Sequence, residues 1–163
     1  MNTKKVTFLS EYHNQVDRPN PLVRASEFSG QKDLRIACTQ LGLSSSQSKK
    51  VLLEWCELLP TLEEVKILYL YSRTPQVIFD AICKMPNIEA LFIKWSGNGI
   101  EEFDCISGLK SLKSLYLSSC TKLFDLEPIG ELLDLEWLEL SELPNVTDVT
   151  PIKKLTSLKG LKY

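Results

Sequence analysis

The sequence predicts an α/β solenoid, in which short repeats each add one strand to a parallel sheet of about five to six strands and return behind it. Two observations predict it. Leu109-Lys-Ser-Leu112-Lys-Ser-Leu115-Tyr-Leu117 recurs 23 residues later as Leu132-Leu-Asp-Leu135-Glu-Trp-Leu138-Glu-Leu140, and again as Leu155-Thr-Ser-Leu158-Lys-Gly-Leu161. The segments between these phrases repeat too, with Phe79, Phe103, Leu126 and Val149 in one column and Ile82, Ile106, Ile129 and Ile152 in another. Two independent columns in one register exclude coincidence.

Taken in order, residues 1–33 stand outside the repeat and read as an N-terminal cap or arm. Val6 to Leu9 fits a short strand, and Asp17-Arg-Pro19-Asn-Pro21 a turn, because each proline biases its predecessor away from helix. Residues 34–163 read as the repeat domain. Leu34-Arg-Ile36-Ala-Cys38 alternates like a half-buried strand. Val51, Leu52, Trp55, Leu58 and Leu59 then recur at helical spacing, which predicts an amphipathic helix of about three turns over 49–59 and makes the first repeat the longest. Further strands are expected near 66–70, 89–93, 113–117, 136–140 and 159–163. Leu62, Met85, Leu109, Leu132 and Leu155 are equivalent, as are Val65, Ile88, Leu112, Leu135 and Leu158, with one step of 24 residues among steps of 23. The last phrase ends in a strand with no return segment, so the reading expects association through the C-terminal repeat, or a longer chain.

The phrase Leu-x-x-Leu-x-Leu, with Cys120 after the strand in one repeat, resembles the short-repeat class of leucine-rich-repeat proteins. Phe124-Asp-Leu-Glu-Pro-Ile129 and Thr147-Asp-Val-Thr-Pro-Ile152 resemble the internalin-like variant, in which Asp-Ile-x-Pro-Leu leads into a short helical turn. Thr150 is the expected cap of the turn that Pro151 opens. The resemblance covers residues 34–163. Arg73, Ser96 and Leu143 stand where the pattern has Asn or Cys, and Tyr71 to Met85 lacks the Asp-x-x-Pro. It implies a curved right-handed horseshoe segment whose concave sheet binds protein or peptide.

Composition narrows the partners. A chain of 163 residues, 44% hydrophobic and 25% charged, suffices for one continuous core. Its net charge of −2 offers no basic footprint for nucleic acid or an anionic membrane. No apolar run approaches the length of a membrane span, and the N-terminus has too few apolar residues before Ser10 for a signal peptide. The five cysteines, 38, 56, 83, 105 and 120, contain no Cys-x-x-Cys and fit reduced thiols in a cytoplasm.

Nothing in the sequence assembles a catalytic or metal-binding constellation. There is a single histidine, His13, and neither a Gly-rich phosphate loop nor a His-Glu-x-x-His. Asp125 and Asp148 are equivalent residues that serve their own turns. No cofactor is expected. The informative residues lie between the strand leucines, because side chains alternate across a strand and the leucines claim the core. Tyr69, Phe92, Tyr116, Glu139 and Lys162 then form one row on the other face. Tyr71, Lys94, Ser118 and Ser141 flank it on one side; Ile67, Ala90, Ser114, Trp137 and Gly160 flank it on the other. Three adjacent exposed aromatics with a charged rim have the make-up of a binding hot spot. The expected partner-binding set is Tyr69, Tyr71, Phe92, Lys94, Trp95, Tyr116, Trp137 and Glu139. The expected function is a non-catalytic protein-interaction module; a cytoplasmic bacterial immunity or inhibitor protein, or a regulatory subunit of an enzyme, is the alternative.

Overall fold

A computed structural model describes residues 20–97 and 99–163. The strand expected at Val6 to Leu9, His13 and the start of the Asp17 to Pro21 turn lie outside the described residues. Six strands, β1 (Asp33–Ile36), β2 (Ile67–Leu70), β3 (Ala90–Ile93), β4 (Ser114–Ser118), β5 (Trp137–Ser141) and β6 (Gly160–Lys162), form one sheet in sequence order. Every pairing is parallel and in the register that the leucine columns dictate: Leu68↔Leu91, Leu91↔Leu115, Leu115↔Leu138 and Leu138↔Leu161.

Parallel neighbours need a crossover, and here the returning segments supply it. They are α1 (Ser45–Leu58), α2 (Gln76–Ile82), a 3-10 turn at Asp104–Gly108, α3 (Glu127–Gly130) and a 3-10 turn at Thr150–Lys154. Helix α1 begins four residues earlier than its apolar periodicity suggests. Ser44 and Gln47 form a capping box there, the Ser44 side chain accepting from the Gln47 N–H. Its inner face buries Val51 and Trp55 completely, and Pro60 lies in the 3-10 turn Leu59–Thr61 that follows.

The core lies between the sheet and these return segments. Leu34, Ile36, Leu68, Leu91, Ile93, Leu115, Leu117 and Leu138 are fully buried, and so are Ile82, Ile106 and Ile129 of the returning column. Burial fades in the last repeat. Val149 is 42% exposed, against 1% for its equivalent Leu126, and Ile152 is only partly buried. The reason is local: among the described residues β6 is the last strand of the sheet, and no further repeat follows it there. At the other edge, the Leu22 N–H donates to Arg35 O at 2.7 Å and the Ala37 N–H to Leu22 O at 3.0 Å, forming a parallel bridge beside β1. Trp55 Nε1 donates to Val23 O at 2.8 Å, and Arg24 pairs with Glu54, which fastens this stretch to α1.

Three local expectations are corrected. The inward side chain after β2 is Ser72, not Arg73. Ser72 is 6% exposed, and its hydroxyl accepts from the Cys38 and Thr39 N–H groups, whereas Arg73 is exposed. Secondly, Thr150 does not cap the last turn but is its first residue, with Val149 at the cap position; the Thr150 N–H donates to Asp148 Oδ1 at 2.8 Å, as the Glu127 N–H donates to Asp125 Oδ1. Thirdly, the cysteines are not all thiols. Cys83 and Cys105, with Cα atoms 5.7 Å apart, form a disulfide between adjacent return segments.

Candidate functional site

The expected row is present in register: Arg35↔Tyr69↔Phe92↔Tyr116↔Glu139↔Lys162 runs across all six strands, on the face turned away from the leucine core. Strand alternation puts it there. The aromatic members pack on one another, with ring centroids 5.2 Å apart for Tyr69 and Phe92 and 4.3 Å apart for Phe92 and Tyr116, the latter pair stacked with an angle of 8° between ring planes. Arg35 begins the row. Its guanidinium carbon lies 4.9 Å from the Tyr69 ring centroid, a cation–π geometry, and its Nη1 donates to the Tyr71 hydroxyl at 3.3 Å.

Exposure in this row differs from expectation. Tyr69 is 0%, Phe92 2% and Glu139 3% exposed, so three members of the expected site are buried. Alternation identifies the face to which a side chain belongs but not what lies on that face. Tyr71, Tyr116 and Trp137 are partly buried. Lys94 and Trp95 are open, the indole 55% exposed at the end of β3. The structure thus brings Tyr69, Tyr71, Phe92 and Tyr116 into one cluster with Ala90 and Ile67, while Lys94 and Trp95 follow the end of β3 outside that cluster. At the charged end, Lys162 Nζ is 3.7 Å from Glu139 Oε2, and the Ser119 hydroxyl donates to Glu142.

Arg35 escaped the sequence reading because it precedes the regular repeats. The alternating residues of β1 already held the signal. A column of charge was also overlooked. Lys66, Glu89, Lys113, Glu136 and Lys159 are equivalent positions just before their strands, and Glu89 lies 3.4 Å from Lys66 and 3.9 Å from Lys113, while Lys159 lies 2.7 Å from Glu136. Each pair is partly exposed and individually worth little.

The same architecture is found among solved structures. Internalin C2 of Listeria monocytogenes superposes with a TM-score of 0.56 at 20% identity, over 63% of this chain and 43% of that one. The fold is a leucine-rich-repeat solenoid. A second internalin of that organism, inlF, matches at 22% identity with a TM-score of 0.46, over 84% of this chain and 42% of its own. The chain thus spans less than half the length of either structure. No family model matches it, and no curated protein does.

Within the solenoid, the thiols are placed for packing. Cys38 and Cys120 fill the inner turns after β1 and β4, both fully buried, and burial pushes each thiol up to about 11. Cys56 on α1 is raised too, chiefly by burial, and donates to Val77 O at 3.4 Å. All three are therefore protonated, weakly nucleophilic thiols at neutral pH. Among the described residues, no group of His, Cys, Asp and Glu is arranged to hold a metal ion. None of their helices is long and apolar enough to cross a membrane.

Proposed function

We propose that this chain is a non-catalytic protein-interaction module that takes a protein or peptide on the concave face of its sheet. The observation that carries the proposal is the run of packed aromatic rings Tyr69, Phe92 and Tyr116 across three adjacent strands, with exposed Lys94 and Trp95 directly following β3. Aromatic anchors within a charged surround are the usual composition of an energetic centre in protein interfaces. The packed aromatic row supplies a rigid platform, Trp95 the accessible anchor, and exposed Glu142 and Lys162 a polar end that sets direction. An immunity or inhibitor role, or a regulatory subunit, would use this face in the same way. Fold alone does not select among them.

The test begins with capture of proteins from the source cells on the immobilised chain. A partner of this face should be lost on Trp95→Ala, with affinity weakened by about 2 kcal/mol or more, and retained on a convex control, Lys84→Glu. Equal capture by the wild type and the Trp95 variant, with loss on the convex change, would move the interface to the other side.

Two further parts of the proposal concern assembly and setting. Self-association is assigned to β6, which ends the sheet among the described residues and whose Leu161 is 47% exposed. The cytoplasmic setting rests on three free thiols, Cys38, Cys56 and Cys120, while the Cys83–Cys105 disulfide suits an oxidising compartment. Thiol trapping in the source cells, followed by mass spectrometry of the 83 and 105 peptides, decides between them.

A further inference from the structure

Helix α1 carries a wider apolar arc than the core uses. Val51 and Trp55 are buried in the core, whereas Leu52, Leu53 and Cys56 line the flank of the helix that meets α2, with Lys49 one turn before Leu53 on the same stripe. Facing them, Val77, Ala81 and Lys84 recur at i, i+4 and i+7 along α2 and the turn that follows it. Between the two stripes runs a groove of about 460 Å³, and the Cys56 thiol spans it by donating to Val77 O at 3.4 Å. Leu53 is 53% and Val77 52% exposed. Single exposed apolar residues are ordinary; two that face each other across one groove, with Leu52 and Ala81 between them, make a patch. Its rim is cationic. Among the described residues neither Lys49 nor Lys84 has an ion-pair partner, and Asp80, the carboxylate that lines the groove, already accepts from Gln76 Nε2 at 2.8 Å.

We propose that this groove is a second binding surface, which takes an amphipathic helical segment of a partner with acidic residues at both ends of its apolar stripe. It lies among the return segments, on the side of the sheet opposite the aromatic row, and so does not rest on the concave reading. Shape favours a helix over a small molecule, because the groove is open along its length, whereas small-molecule sites enclose most of their ligand. From Lys49 to Pro60 the stripe on α1 runs about 16 Å, or three helical turns, which is the length over which a third helix lays its side chains between those of two others. Charge chooses the partner's ends. Its apolar positions meet Leu52, Leu53, Val77 and Ala81, and its carboxylates meet the unpaired ammonium groups of Lys49, which opens one stripe, and Lys84, which closes the other.

The test uses the full chain and two synthetic helical peptides of about four turns. One carries leucines at i, i+3, i+4 and i+7 with glutamates at both ends; its twin has lysines for the glutamates. The acidic peptide should slow alkylation of Cys56, mapped by mass spectrometry, at least tenfold, and the twin should not. Fully buried Cys38 and Cys120 should stay unmodified throughout, which reports that the fold persists. Calorimetric titration should give saturable binding that weakens tenfold or more in Lys49→Glu with Lys84→Glu and in Leu53→Asp, and that falls as salt rises. Lys49→Gln with Lys84→Gln should weaken it less, and circular dichroism melts should match the wild type in every variant. Trp95→Ala should leave this binding unchanged, so loss of the groove and loss of the concave face are read separately. Absence of saturable binding, equal binding of the twin, or indifference to the lysine reversal would overturn the proposal. So would protection of Cys56 by rising concentration of the chain alone, which would make a second copy the occupant, or protection by dodecanoate in preference to the acidic peptide, which would make it a site for anionic amphiphiles.

Discussion

The ring of Phe92 lies nearly parallel to that of Tyr116, with 4.3 Å between their centroids. Tyr69 packs against the other side of Phe92 at 5.2 Å. Since Tyr69 and Phe92 are also buried, truncating either removes core-like contacts. Tyr69→Ala or Phe92→Ala should therefore cost about 3 kcal/mol or more in a denaturant melt. Had the face been open to water, the loss would stay within about 1 kcal/mol, and that result would return these rings to the exposed surface.

On the leucine side, Leu115 and Leu138 are fully buried and face each other across β4 and β5. Either residue changed to Asp places a carboxylate between two repeats with no partner. Circular dichroism should show loss of the cooperative melt. A variant with an unchanged melt would contradict the register.

Acid should destabilise the fold through three carboxylates. Backbone N–H groups of Arg24 and Val23 hold the Glu27 carboxyl below its ordinary range, the Arg24 side chain does so for Glu54, and the Thr150 N–H does so for Asp148. A group whose folded pKa is depressed contributes stability that is present above its unfolded pKa and lost as pH falls through the folded value. The melting temperature should hold from neutrality to the ordinary carboxylate range and fall below it. Asp148→Asn should flatten that fall, and a slope unchanged in this variant would remove Asp148 from the account.

The disulfide ties residues 22 apart in sequence, across two neighbouring return segments. Closing a loop of that length should stabilise the oxidised chain by about 3 kcal/mol. Reduction, or Cys105→Ser, should lower the denaturant midpoint accordingly. A non-reduced peptide map without an 83–105 product would refute the link directly.

Association through β6 is checked by light scattering over a dilution series. Leu22 occupies the outer edge of β1, so a head-to-tail stack is blocked, and pairing of β6 with its own copy remains. Mass should rise with concentration in the wild type and not in Leu161→Lys. A constant monomer mass in both would remove self-association from the proposal.

The repeat fold was legible in the sequence because one residue type, leucine, fills equivalent positions of a core that recurs with each repeat. The strands around Leu68, Leu91, Leu115 and Leu138 follow from that alone. The site was legible only in part. Alternation places Tyr69, Phe92, Tyr116 and Glu139 on one row, but how deeply a row is buried is a tertiary property, and period-two patterning carries no trace of it. The Cys83–Cys105 pair was hidden for a different reason. Its separation of 22 is close to one repeat, so the two residues are neighbours in space, yet no Cys-x-x-Cys or other local spacing marks them as a pair. Arg73 was misplaced because strand register recurs from repeat to repeat, whereas the turn after β2 buries Ser72 and Thr74 and leaves Arg73 exposed.

The charge column Lys66, Glu89, Lys113, Glu136 and Lys159 gives this solenoid a parity. Sign alternates from one repeat to the next, so inserting or excising a single middle repeat would set lysine beside lysine or glutamate beside glutamate. Removing two consecutive repeats would restore the alternation. Like charges directly opposed on adjacent strands are unfavourable by tenths of a kcal/mol, roughly 0.2–1 per pair. That is slight against a leucine core, but it carries information the leucines lack, since every leucine phrase resembles the next. The core tells each strand that it has a neighbour; the charges tell it whether that neighbour is odd or even.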